Sequence, residues 1–253
     1  MQGKTEERMA FNRRLTLYLP PVRAKERLPV AYLQDGAMVK EMLEQLAAPV
    51  ERAVKAGSCR PFLLVAVHSD ERDAEYTPWP AGSAFSKGDN YSGRADDYLK
   101  MLESGIKPLI DSLYPTLPEP EQTAIGGYSL GGLCALYAAF KSGAFGRFAS
   151  ISGSLWYPGW RDFVKENPPA RPFSALWVSL GKKEPKASHP LLAGSGEAAL
   201  QTERLLSPYA RRHTFVWHEG GHFAQVAQRM AQTLCWLFQR EESDEDFQRR
   251  LYR

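Results

Sequence analysis

The chain has 253 residues, 43% hydrophobic and 24% charged, with a formal net charge of +3. That is enough to bury a sizeable core, in one large α/β domain or two small ones. The charge is small and evenly spread, with no Lys/Arg-rich run or aromatic–basic stripe, which argues against a nucleic-acid partner. No stretch approaches 18 apolar residues, so no membrane-spanning helix is expected. The segment Met1 to Arg14 carries charges throughout, unlike a signal peptide. Three cysteines, Cys59, Cys134 and Cys235, are an odd number without metal-like spacing. Cys134 and Cys235 sit in apolar helical patterns and read as reduced core residues, and the chain reads as cytoplasmic.

In chain order, the apolar pattern predicts strands at 15–19 and 30–34, a helix at 38–56 and a strand at 62–67. A helix at 93–113, a strand at 123–128 and a helix at 131–141 come next. Strands at 148–151 and 175–180, a helix at 198–206, a strand at 213–217 and a helix at 222–240 complete the pattern. Leu63 to Val67 is continuously apolar, as expected for a strand buried on both faces. Strands separated by helix-sized segments imply βαβ units: a mostly parallel sheet with helices on both faces and no large lid, as a single domain over 1–253. The charged tail 241–253 reads as a frayed helix end.

The most informative stretch is Ile125 to Leu133, which contains Gly127-Tyr128-Ser129-Leu130-Gly131, a G-x-S-x-G between a predicted strand and a predicted helix. That context presents a serine hydroxyl on a strained turn, and the flanking glycines let strand and helix pass closely. A serine is a weak nucleophile and needs a base, itself oriented by an acid. His222 follows a glycine pair between the last strand and the last helix and is the candidate base; His218 is the rival, and His68 could line a pocket. Glu184 follows the strand at 175–180 and is the candidate acid, ahead of Glu197 and Asp162. The oxyanion hole is assigned to the backbone N–H groups of Leu130, after the serine, and of Ala37, in the Asp35-Gly36-Ala37 turn after an early strand. Asp35 reads as a turn or cap residue.

These stations resemble the Putative esterase branch of the α/β hydrolases, which includes esterase D, antigen 85 mycolyltransferases, feruloyl esterases and enterochelin-type siderophore esterases. The match is carried by Tyr32-Leu33-Gln34-Asp35-Gly36, Gly126 to Gly132, Ser152 to Trp156, Gly181 to Glu184 and Gly221-His222-Phe223. Two further segments, Arg72 to Pro80 and 93–114, resemble the hydrolases that open ferric catecholate trilactones. The resemblance implies that Arg72 and the loop bearing Tyr76 and Trp79 border the substrate, an arginine suiting an anionic ligand and the rings its aromatic groups. Trp156, after a strand end, is expected to wall the pocket.

The sequence thus predicts a serine esterase that needs no cofactor or metal and acts on a small-molecule ester, and the resemblance to the trilactone hydrolases implies an anionic ferric siderophore as that ester. A general carboxylesterase or an acyltransferase would use the same residues. A peptidase would need a gating domain for which the chain leaves no room. A degenerate, ligand-binding hydrolase would lack a member of the triad, and none is lacking.

Overall fold

The computed structural model describes residues 1–22, 26–82 and 90–240. Its centre is an eight-stranded sheet in the order β1-β2-β4-β3-β7-β8-β9-β10. The strands are β1 (Lys4–Ala10), β2 (Arg13–Leu19), β3 (Val30–Leu33), β4 (Leu63–Val67), β7 (Thr123–Tyr128), β8 (Arg147–Ile151), β9 (Phe173–Gly181) and β10 (Ala210–His218); β5 (Ala81–Gly82) and β6 (Asn90–Tyr91) pair separately. From β4 to β10 all neighbours run parallel, while β2 is antiparallel to both β1 and β4.

Every predicted strand is present, with each end no more than three residues from its expected position. The sequence pattern did not reveal β1. Its residues Lys4, Glu6, Glu7 and Arg8 are charged and only Ala10 is fully buried, because β1 is an edge strand. Charged edges of this kind discourage pairing with other chains. A tight turn joins β1 to β2, with Phe11 and Asn12 both at positive φ (52° and 56°), the geometry that suits the twist of a hairpin.

Helices cover both faces of the sheet. On one side, α1 (Gly36–Glu41), α2 (Leu43–Lys55) and α10 (Val226–Leu237) pack against Ala31, Leu33, Leu64, Ala66, Ala149 and Trp177. On the other, α4 (Ala95–Met101), α5 (Lys107–Leu113), α6 (Leu130–Lys141), α7 (Trp160–Glu166) and α9 (Ser195–Leu206) pack against Leu17, Tyr32, Val65, Ile125, Phe148 and Val178. Two short helices, α3 (Arg72–Glu75) and α8 (Pro190–Ala193), lie in the connections. The strand residues therefore alternate between two apolar layers, so the inner strands read as unbroken apolar runs. The helix expected at 38–56 is two helices broken at Met42, and the one expected at 93–113 contains a π turn over Leu102–Ile106. The last helix begins at Val226 rather than 222, after Gln225 in a left-handed conformation. The expectation for 241–253 falls outside the described residues.

This topology carries the chain to one edge of the sheet at the end of each parallel strand. The turns after β3, β7, β8, β9 and β10 therefore meet there, where ligands gather in sheets of this kind.

Candidate active site

Ser129 occupies the turn between β7 and α6 with φ 57° and ψ −121°, a strained backbone that a serine adopts only when its surroundings enforce it. Its N–H is held by the Ile151 carbonyl at 3.1 Å, and its own carbonyl receives the N–H groups of Gly132, Leu133 and Ser154. The tightness of this elbow explains Gly127: a Cβ there would lie 2.5 Å from the Gly131 carbonyl oxygen.

The three residues expected to form a triad meet. The Ser129 Oγ lies 3.2 Å from Nε2 of His222, and Nδ1 of His222 lies 2.7 Å from Oε2 of Glu184. With Nδ1–H donated to the carboxylate, Nε2 is the acceptor that faces the serine. The His222 ring rests on Tyr128 at 4.9 Å between centroids, and the Tyr128 hydroxyl donates to the His222 carbonyl. Glu184, in the turn after β9, has a side chain only 7% exposed. Its other oxygen, Oε1, accepts the Gly181 N–H at 2.6 Å and the Ser152 hydroxyl at 2.8 Å. Burial alone would raise its pKa, but the bond and charge of His222, with the Gly181 and Ser152 bonds, outweigh it and hold the carboxyl below its usual 4.5.

Leu130 is the first residue of α6 and Ala37 the second of α1, positions where backbone N–H groups have no partner within the helix. Among the described residues neither N–H meets a protein acceptor. Ala37 and Ser129 line the same cavity, of about 740 Å³. The Asp35 backbone is left-handed (φ 57°), and its N–H is held by the Tyr76 hydroxyl at 2.9 Å. Gly36 backs closely onto His68, whose backbone nitrogen would lie 2.7 Å from a Cβ at that position. His68 is thus packed behind this turn, with Nε2 2.8 Å from the Thr16 hydroxyl, and does not line the cavity.

Among the residues expected at the substrate, Trp156 and Arg72 line the cavity. Arg72 is not free: its Nε and Nη2 form a two-pronged bond to the Asp35 carboxylate at 2.9 and 3.1 Å. Asp35 is therefore an ion-pair partner, with no side-chain capping bond.

Tyr76 and Trp79 need correction. Tyr76 is completely buried beneath the site, edge-on to Tyr98 at 5.3 Å, because its ring completes the core under α3 and α4. Trp79 donates its Nε1–H to the Pro158 carbonyl at 2.8 Å and packs on Tyr157 and Phe163; it braces a neighbouring loop and is not part of the cavity wall.

His218, the rival base, is buried against Trp177 (6.4 Å between centroids) and never reaches the serine. Burial, then the nearby Arg229 charge, push its pKa down to about 4. Glu197 pairs with Arg161 at the surface, and Asp162 is exposed on α7.

The cavity also includes Met38, Lys183, Leu192 and Phe223, to which the sequence reading gave no role. Phe223 is 86% exposed at the rim, and its position beside His222 was the available signal. Ser154 is buried, with its Oγ 3.3 Å from that of Ser129, and Leu155 belongs to the core.

The Putative esterase family matches residues 7–237. The chain is 32% identical over 187 residues to the uncharacterized protein YbbA of Bacillus subtilis (strain 168), covering 73% of this chain and 74% of that one. It is 27% identical over 154 residues to an iron(III) enterobactin esterase of Dickeya dadantii (strain 3937), a match covering 60% of this chain but 32% of the longer protein. In three dimensions it resembles an IroE-like serine hydrolase from Shewanella oneidensis, with a TM-score of 0.75 at 18% identity, over 94% of this chain and 80% of that one. The chain belongs to the Putative esterase family and is an esterase with the α/β-hydrolase fold.

Proposed function

We propose that the protein is a carboxylic-ester hydrolase in which Ser129 is the nucleophile, His222 the general base and then acid, and Glu184 the residue that orients and stabilises His222. The observation that carries this reading is the unbroken chain from Ser129 Oγ to His222 at 3.2 Å and on to Glu184 at 2.7 Å, on the wall of the 740 Å³ cavity. Ser129 Oγ attacks the ester carbonyl while its proton passes to Nε2 of His222. The Leu130 and Ala37 N–H groups receive the negative charge that develops on the carbonyl oxygen. The imidazolium then protonates the departing alkoxide. Water, losing a proton to the same nitrogen, attacks the acyl-enzyme, and the acid leaves as Ser129 is regenerated.

The substrate we infer is a bulky ester of an aromatic, anionic acid, of the ferric catecholate trilactone type. Lys183 puts positive charge on the cavity wall beside the Arg72–Asp35 ion pair, and Trp156 and Phe223 supply ring faces. The siderophore-esterase activity of the Dickeya relative supports the same class. We place the reaction in the cytoplasm, in keeping with three unpaired cysteines.

The test is hydrolysis of p-nitrophenyl esters from acetate to octanoate by wild type and Ser129→Ala. A loss on the order of 10³-fold or more in kcat is expected for the variant; equal turnover would remove Ser129 from the reaction. Turnover of a ferric catecholate trilactone is expected to exceed that of simple butyrate esters, and the reverse ranking would restrict the enzyme to small esters.

A further inference from the structure

Arg229 lies on α10 behind the active site and is 1% exposed, one of the largest fully buried side chains described. Its Nη1 donates to the Ser152 hydroxyl at 2.8 Å and approaches Glu184 Oε1 at 3.4 Å. Its Nη2 donates to the backbone carbonyls of Glu219 and Gly221, each at 2.9 Å. Its Nε has no partner among the described residues.

Packing alone does not account for this residue. Burying a guanidinium carries a desolvation penalty that a methionine filling the same space would avoid. The arginine is held by Glu184, its buried counter-charge, and by the fork of donors that reaches three separate groups. Those groups are the informative part. Ser152 bridges to Oε1 of Glu184, so the arginine and the hydroxyl fix one oxygen of the carboxylate and leave Oε2 aimed at His222. The Glu219 and Gly221 carbonyls bracket the turn that carries His222, which includes Gly220 at φ 88° and belongs to neither β10 nor α10. One side chain therefore grips both the acid and the loop bearing the base.

We infer that Arg229 is a positioning residue for the hydrolytic reaction: it sets the distance between Glu184 and His222, and through it the reach of His222 to Ser129. This rests on the triad proposed above. A misplacement of about 1 Å in a catalytic constellation reduces turnover on the order of 100-fold. A group acting only on the geometry of proton transfer lowers kcat and leaves KM unchanged.

The experiment compares wild type, Arg229→Met, Arg229→Lys and Ser152→Ala on one p-nitrophenyl ester. Each kcat is divided by the number of sites that a fluorophosphonate labels to completion, and thermal unfolding is recorded alongside. For Arg229→Met, kcat per labelled site is expected to fall on the order of 10–100-fold with KM unchanged. Arg229→Lys keeps the charge but presents its donors from one nitrogen instead of across a planar fork, so it should recover part of that loss. Ser152→Ala, which leaves the arginine in place, should show a smaller loss; these two variants carry the test if Arg229→Met does not fold. Wild-type kcat per labelled site in Arg229→Met, or in both Arg229→Lys and Ser152→Ala, would overturn the inference and leave the arginine a stability element. Absence of label on Ser129 in the wild type would overturn the triad and this inference together.

Discussion

Replacing Glu184 with glutamine keeps its shape and removes its charge. Each of its close partners is a donor: His222 Nδ1 at 2.7 Å on one oxygen, the Gly181 N–H at 2.6 Å and the Ser152 hydroxyl at 2.8 Å on the other. The amide of Glu184→Gln therefore meets a donor whichever way it turns. If its NH2 faces His222, the imidazole must carry its proton on Nε2, which can no longer accept from Ser129. If it faces the other way, the Gly181 N–H loses its acceptor, and the imidazolium formed during attack has no anion beside it. A hydrogen bond to a charged partner is worth about 1.5–3 kcal/mol, and the missing anion adds to this, for a total of about 3–5 kcal/mol. At about 1.36 kcal/mol per decade, kcat should fall on the order of 10²–10⁴-fold. The assay is p-nitrophenyl butyrate hydrolysis per labelled site from pH 6 to 9. A loss below about threefold would refute the reasoning: Ser129 and His222 would then work as a pair, with Glu184 only anchoring the turn after β9. The same residue predicts a stability effect with a definite sign. Because its folded pKa lies below the usual 4.5, its stabilisation is present above that pH and is lost as pH falls through the lower folded value. The stability advantage of wild type over Glu184→Gln should accordingly shrink below about pH 4.5.

Gly127→Ala places a Cβ 2.5 Å from the Gly131 carbonyl oxygen, a backbone atom that cannot swing away. Overpacking of this kind costs about 1–3 kcal/mol or more, so a melting temperature lowered by roughly 2–12 °C, with esterase activity lost, is expected in thermal unfolding and ester assays. His218 stays neutral in the fold to about pH 4, while the unfolded chain binds a proton near 6.5. Its contribution to stability therefore declines as pH drops between these values. His218→Gln should lose less melting temperature between pH 7 and pH 5 than wild type, and an equal loss would show that the ring is already solvated. Phe223→Ala should leave stability within about 0.5 kcal/mol, because the ring is 86% exposed. Its kcat/KM for octanoate and aromatic esters should fall while acetate is spared; an equal effect on all esters would remove Phe223 from substrate contact.

Much of the fold was legible because its strands are buried on both faces. Leu63 to Val67 and Thr123 to Tyr128 are fully buried, so each appears in the sequence as an uninterrupted run without large polar residues. The misses have local causes. β1 has solvent on most of its length and carries the charges that blunt an edge, so it offers no apolar alternation to detect. The break at Met42 is invisible to periodicity, because Val39, Leu43, Leu46 and Val50 are all buried and the apolar stripe runs across it. The true start of α10 is set by a left-handed Gln225, which a helical pattern cannot report.

For the site, the sequence was informative where chemistry needs a particular residue at a strand end, and misleading where a residue's neighbours decide its role. Ser129, Glu184 and His222 each follow a strand of the same sheet, so chain order alone nearly brought them together. Tyr76 and Trp79 looked like stacking surfaces because aromatic residues in a loop carry no mark of which way the loop faces; the core claimed the first and the loop near Pro158 the second. Arg229 did leave a mark. On α10, Met230, Thr233, Leu234 and Leu237 form the buried stripe, and Arg229 lies on it, three residues after Val226 and four before Thr233. An arginine on the apolar face of an amphipathic helix must either leave the core or find an anion inside it. The sequence reading passed over this charge, although in a chain whose candidate acid follows a neighbouring strand it is the signal of an acid held from behind.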